Sequence, residues 1–283
     1  MSYLRATLFM FFIHAIFAGI GFAIYGTQGA IIGTGIALLF HVVIFWKADK
    51  LVLRIHKAHE VDENHPSPMV RAFVKECREL SISAGMICPR LFIMDAHQPN
   101  AFAVGRDALH ASIAVTNGLL MTLNRVETRA VIAHELAHVR RGDSLSMGIA
   151  SAVSGLINNL TWIIFKPIGL QKISSRFVSR TIALIFASKA REHAADKEGA
   201  KICGKPLDLA SALEKIERNT VSLLNPIAEK NPATAHIYVV DPLHASKRTH
   251  RSSHPATEKR IARLRRQAET LTPQSIAKSE SHY

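Results

Sequence analysis

The run His134-Glu135-Leu136-Ala137-His138 sets two imidazoles four residues apart, with a carboxylate beside the first. On a helix this spacing puts both rings on one face, one turn apart, where they can share a metal ion. Glu135 then stands next to the metal without ligating it. Zinc lowers the pKa of a coordinated water, and a neighbouring carboxylate can take the proton. The same five residues could arise by chance on a solvated helix face. The flanks argue against that: Val131, Ile132, Ala133, Leu136, Ala137 and Val139 make the turn apolar nearly all round, as in a buried helix. Two histidines and a glutamate inside such a helix need partners, and one zinc ion per chain supplies them.

A catalytic zinc takes three protein ligands and keeps one position open. The metzincin extension is excluded, because Arg141 and Ser144 stand where that pattern needs Gly and His. The third ligand therefore comes from elsewhere. In Arg191-Glu192-His193-Ala194-Ala195-Asp196, Glu192 and Asp196 are four apart and share a helix face. One can bind zinc while the other orients a ligand histidine. Glu192 is the expected ligand and Asp196 the orienting group. His193 is a rival by chemistry but points off that face. The alternative for Glu192 is a surface pair with Lys189 or Arg191.

These side chains need a scaffold. Asn124 and Glu127 form a capping box. It opens a helix that runs to about Arg141, where Gly142 can end it. Ser67-Pro68 starts another helix, with Val70, Phe73, Val74 and Cys77 at helical spacing. Leu91–Met94 and Ser112–Thr116 read as short strands, with Ala101–Gly105 as a third between them. After about residue 270 the chain is polar and is expected to be disordered.

No Asp, Glu, Lys or Arg occurs between Arg5 and Lys47. A bilayer needs only about 20 apolar residues, so this run holds two spans, about 7–25 and 29–46, turning near Tyr25–Gly29. Trp46 sits where an interfacial aromatic belongs. A second apolar run follows the first where a signal peptide would give way to a polar mature sequence. Arg5 lies before the hairpin and Lys47, Lys50, Arg54 and Lys57 after it, which places both ends in the cytoplasm. Residues 144–165 form a third uncharged run, burdened by Asn158 and Asn159, and a fourth patch at about 177–188 contains Arg180. Whether these cross the bilayer or pack on the catalytic domain is open at this level.

Composition agrees with a chain divided between lipid and water: 283 residues, 48% hydrophobic and 20% charged. The net charge of +13 would suit a nucleic-acid binder. However, the cluster Lys259, Arg260, Arg263, Arg265 and Arg266 has no interleaved aromatics, and no nucleic-acid module appears. The charge is therefore read as membrane proximity, with no nucleic-acid partner. The three cysteines lack CxxC spacing and are expected to be reduced.

The expected fold is mostly α with a small β-sheet, an α+β zincin-like catalytic domain plus transmembrane helices. The hairpin occupies 1–50, the first part of the protease domain 51–143, and apolar helical segments 144–190. The second part of the protease domain occupies 191–270 and the tail 271–283.

Taken together, the sequence resembles the HtpX-type membrane zinc proteases, relatives of the CAAX prenyl proteases. The resemblance rests on the hairpin, Pro99–Gly105, Ala114–Gly118, the two-histidine motif with Asp143, Arg191-Glu192-x-x-Ala195-Asp196, and His254-Pro255 with Arg260-Ile261. His193 departs from it, standing where the family commonly has an aromatic residue. The resemblance implies that His134, His138 and Glu192 bind zinc and that Glu135 is the general base. It implies a substrate cleft bordered by Asn100, Ala101, Phe102 and Ala103, where an extended peptide adds as a strand. His254 is expected to stabilise the transition-state oxyanion, with Arg260 pairing to Asp196. The implied role is quality control and stress response at the cell inner membrane. Misfolded membrane proteins or unfolded polypeptides would be cut on the cytosolic side. Two rivals remain: a structural, non-catalytic zinc site, against which Glu135 speaks, and prenylated-peptide cleavage, whose enzymes carry more spans. Oligomeric state is not legible.

Overall fold

A computed structural model describes residues 2–165, 188–243 and 256–280. The apolar patch expected at about 177–188 lies outside these residues except for Ser188, and His254 lies outside them altogether. The fold is mostly helical, with one small mixed sheet.

Helix α1 covers Ser2–Ile55 and breaks at Tyr25 and Gly26. Gly26 has φ +59°, a left-handed conformation that glycine adopts without a steric cost. The break folds α1 into two antiparallel arms. Phe17 stacks on Phe40 at 5.9 Å and His14 faces His41 at 5.7 Å. The arms touch through glycine: a Cβ on Gly29 would lie 2.0 Å from the Gly21 carbonyl oxygen. Thr7–Ile55 has a mean hydropathy of 2.1 in its most apolar window, only 6% of which is buried. Among the described residues it is the one helical stretch long and apolar enough to cross a membrane. The two-armed hairpin matches the sequence reading, but its second arm stays helical well beyond Trp46, carrying Lys47, Lys50 and Arg54 into the polar domain.

Strand β1 (Ala58–Glu60) follows, then α2 (Pro68–Ser83), β2 (Arg90–Met94), β3 (Ala101–Gly105) and β4 (Ala111–Thr116). The sheet order is β1-β2-β4-β3, with β2 and β4 parallel and the other pairs antiparallel. The three expected strands are present. Three-residue β1 escaped the sequence reading because Ala-His-Glu carries no apolar alternation. The sheet is covered on both faces. Ala101, Ala103, Ile113 and Val115 pack on one side with residues of α2 and of the motif helix. Phe102, Val104 and Ala114 pack on the other with residues of the hairpin. Such double burial gives continuous apolar runs rather than alternation.

Helix α3 (Asn117–Thr122) leads into α4 (Arg125–Arg140), which carries the two-histidine motif. The capping box is formed: Asn124 Oδ1 accepts from the Glu127 N–H at 3.0 Å, and Glu127 Oε2 from the Asn124 N–H at 3.0 Å. Gly142, at φ +69°, turns the chain into α5 (Asp143–Phe165). The first half of α5 is inside the domain, with Leu145, Met147, Ile149, Ala152 and Val153 buried in the same cluster as the hairpin's inner face. Helix α6 (Lys189–Cys203), α7 (Pro206–Ser222), the short α8 (Pro226–Lys230) and α9 (Thr257–Glu280) complete the chain. The sequence reading ended order at about 270, whereas α9 runs on to Glu280. Leu264 is buried, and Gln267 donates to the Lys197 carbonyl of α6 at 3.1 Å.

Candidate active site

Helix α4 crosses beneath the edge strand β3, and α6 lies along α4. Their approach is backbone to backbone: a Cβ on Gly199 would sit 2.7 Å from the Cα of His134. No larger residue at 199 would let α6 come so close. This contact carries Glu192 to the two histidines.

His134, His138 and Glu192 are buried, and their ligating atoms lie within 4.8 Å of one another. Glu192 stands between the rings, Oε2 3.7 Å from His134 Nε2 and Oε1 3.7 Å from His138 Nε2. Both ring nitrogens of His134 are buried without a hydrogen-bond partner, and Nε2 is the one that faces Glu192. An orphaned ring nitrogen there is costly, and a metal ion among these three atoms removes the cost. The donor set therefore fits a metal. His193, the rival ligand, is not part of this group.

Each ring nitrogen turned away from that centre faces a carboxylate. His134 Nδ1 lies 3.1 Å from Asp196 Oδ1, and His138 Nδ1 lies 3.4 Å from Asp143 Oδ2. Carboxylates on that side favour the tautomer that presents Nε2 inward. Asp196 is gripped in turn by Arg260 of α9, whose Nε and Nη2 donate at 2.8 and 2.7 Å. Arg260 also donates through Nη1 to the Val239 carbonyl at 2.6 Å. Burial works against ionised Asp196, but Arg260 and His134 outweigh it and hold the carboxyl well below its usual range. Asp143 figured in the sequence reading only through the resemblance. Its signal was local: an acid one residue past the glycine that ends the motif helix. Gly199 gave no signal, since close approach depends on a partner helix.

Glu135 is buried beside β3, where the Ala103 backbone eases its charge. Burial, with Glu192 nearby, raises its pKa well above the ordinary value. His138 is shifted up as well: burial opposes its charge, but Glu192 and Asp143 prevail.

The four residues expected to border the cleft are all fully buried. Asn100 Nδ2 donates to the Val240 carbonyl at 2.8 Å, and Asn100 Oδ1 accepts from the Ala101 N–H at 3.2 Å. The Ala101 carbonyl accepts from the Val239 N–H at 3.0 Å. Phe102 points to the far face, against His56 and Tyr238. Segment 239–240 thus occupies the start of the β3 edge.

Three residues able to hold a metal beside a buried carboxylate and an edge strand form an arrangement suited to the hydrolysis of a peptide bond. The chain belongs to peptidase family M48, whose family model matches residues 64–268. It is also similar to a crystal structure of S. mikatae Ste24p, at 18% identity and a TM-score of 0.47. That likeness covers 93% of this chain and 65% of the other, so this chain spans less than two thirds of that protein's length.

Proposed function

We propose that this protein is an integral-membrane zinc endopeptidase, and that it cuts misfolded or damaged membrane proteins on the cytosolic side of the cell inner membrane. The observation that carries the reading is the buried His134–His138–Glu192 group beside Glu135, in a domain packed on an apolar hairpin. Zinc, one ion per chain, would polarise the scissile carbonyl and acidify the attacking water. The remaining steps belong to the chain. His134, His138 and Glu192 hold the ion, while Asp196 and Asp143 keep both rings turned toward it. Glu135 takes the proton of the attacking water and passes it to the leaving amine. The substrate would lie extended beside β3, so that main-chain pairing supplies affinity with little demand on sequence. His254 is assigned to the oxyanion, following the resemblance. Polypeptides with exposed membrane segments would reach this edge from the bilayer to which the hairpin confines the enzyme.

The test is proteolysis of an unfolded membrane protein by the purified chain, with and without zinc, beside Glu135→Gln. The variant should bind about one zinc per chain and lose at least ~10²-fold in turnover, the order expected for a lost general base. Full activity in the variant would overturn the mechanism. Loss of zinc would instead make Glu135 a ligand.

A further inference from the structure

Helix α2 ends in a chain reversal that aligns two thiols. The Gly85 N–H donates to the Ile82 carbonyl at 3.0 Å and the Met86 N–H to the Ser81 carbonyl at 2.8 Å. Gly85 sits at φ +64°, which completes a Schellman motif. The chain then returns along the helix it has just left. Cys77 lies seven residues before Ala84, about 10 Å down the helix at 1.5 Å per residue. Cys88 lies three residues beyond Gly85, about 10 Å along an extended chain. The two lengths match, so Cys88 comes level with Cys77, where each thiol shifts the other's titration, and the Cys88 thiol donates to the Pro89 carbonyl at 3.6 Å. Cys77 is fully buried in the core, while Cys88 packs at its rim, partly open to solvent. One thiol is reachable and its partner is held in waiting behind it, an arrangement found at redox-sensing cysteines.

We propose that Cys88 is a peroxide-sensitive thiol that closes a reversible intramolecular disulfide with Cys77. The thiolate of Cys88 attacks one oxygen of hydrogen peroxide, breaking the O–O bond to give a sulfenic acid and hydroxide. The Cys77 sulfur then attacks the Cys88 sulfur, forming the S–S bond and expelling water. The two thiols lose two electrons and two protons, and the peroxide is reduced to two waters. A dithiol reductant reverses the bridge by exchange. The surroundings favour the first step: the neighbouring Cys77 and the Arg78 charge draw the Cys88 pKa below its usual value, despite partial burial. Cys203 is shifted the other way, mainly by burial. The bridge would pin the returning chain to α2, whose Glu76 meets Arg125 and Arg129 of the motif helix.

The experiment is peptide-mapping mass spectrometry of the purified full chain in detergent, after mild hydrogen peroxide treatment. The expected product is a Cys77–Cys88 crosslink at two mass units less, restored by dithiothreitol, with Cys203 still open to alkylation. Cys88→Ser should abolish the crosslink. Cys77→Ser should leave a dimedone-reactive sulfenic acid on Cys88. In the untreated wild type, iodoacetamide at pH 7 should label Cys88 at least several-fold faster than Cys203, in proportion to thiolate content. Faster labelling of Cys203 would refute the proposal, as would oxidation of Cys88 to sulfinic acid without a bridge or a crosslink only between chains.

Discussion

Three carboxylates surround the histidine pair, and each does something different because each meets a different neighbour. Glu192 faces both Nε2 atoms, Asp143 backs His138, and Asp196 backs His134 while it is gripped by Arg260. Asp196 and Arg260 are both buried, so removing one strands the other's charge. Such a loss typically costs about 3–5 kcal/mol. Asp196→Ala is therefore expected to lower the melting temperature sharply and to weaken zinc binding, since an orienting acid commonly contributes about 10–100-fold in affinity. Isothermal titration with zinc and a thermal melt read the two effects separately. An unchanged melt would mean that Arg260 finds solvent or another acid. Asp143→Asn should also weaken zinc binding, by leaving His138 without its backing carboxylate.

Helix α4 is held by what lies across its ends and its middle. Gly199 lets α6 touch it, and Gly199→Ala should push α6 outward and draw Glu192 off the rings. The expected result is a fall in zinc affinity with only a modest change in stability; unchanged affinity would show that α6 yields without moving Glu192. At its N-terminal half, α4 is clamped by two acids. Glu76 of α2 accepts from Arg129 at 2.6 Å and also from Arg125, while Glu127 accepts from Ser211 at 2.6 Å and Lys215 at 2.9 Å. Burial opposes both charges, but these partners outweigh it and lower both pKa values below 4.5. A lowered folded-state pKa gives stability that is complete above the ordinary value and is lost as pH falls through the depressed one. The melting temperature should therefore hold steady from pH 8 to about 6 as far as these acids govern it, then fall below about 4.5. The double variant Glu76→Gln, Glu127→Gln should start lower and fall less steeply. An acid limb of unchanged slope would discount both clamps.

For the whole molecule, the hairpin and the catalytic domain form one body rather than an anchor and a tethered enzyme. The second arm of α1 runs unbroken to Ile55 and packs with α5, the helix that follows directly from the metal site. His56, just past that arm, is buried against Phe102 of the edge strand and hydrogen bonds to Tyr238 at 2.9 Å. Severing the hairpin should therefore impair the fold of the site as well as its location. The positive charge after Trp46 predicts that the N-terminus, the segment after Trp46 and the metal site all face the cytoplasm. Protease protection in oriented vesicles checks this, and finding residues 47–57 on the outer face would overturn it.

The sequence alone determined the features that depend on near neighbours along the chain. The capping box at Asn124, the histidine spacing, the hairpin turn and three of the four strands are all fixed within a few residues by hydrogen-bond geometry and apolar patterning. Tertiary structure decided what depends on distant segments meeting. It brought Glu192 to the rings through Gly199, gave Arg260 to Asp196, filled the start of the β3 edge with segment 239–240, and levelled Cys88 with Cys77. Helical spacing marked Glu192 and Asp196 as a pair and the resemblance offered Arg260 as a partner, but how closely distant segments meet leaves no local trace, because an approach between two helices or two thiols is set by the packing of the whole core and not by the sequence at either partner.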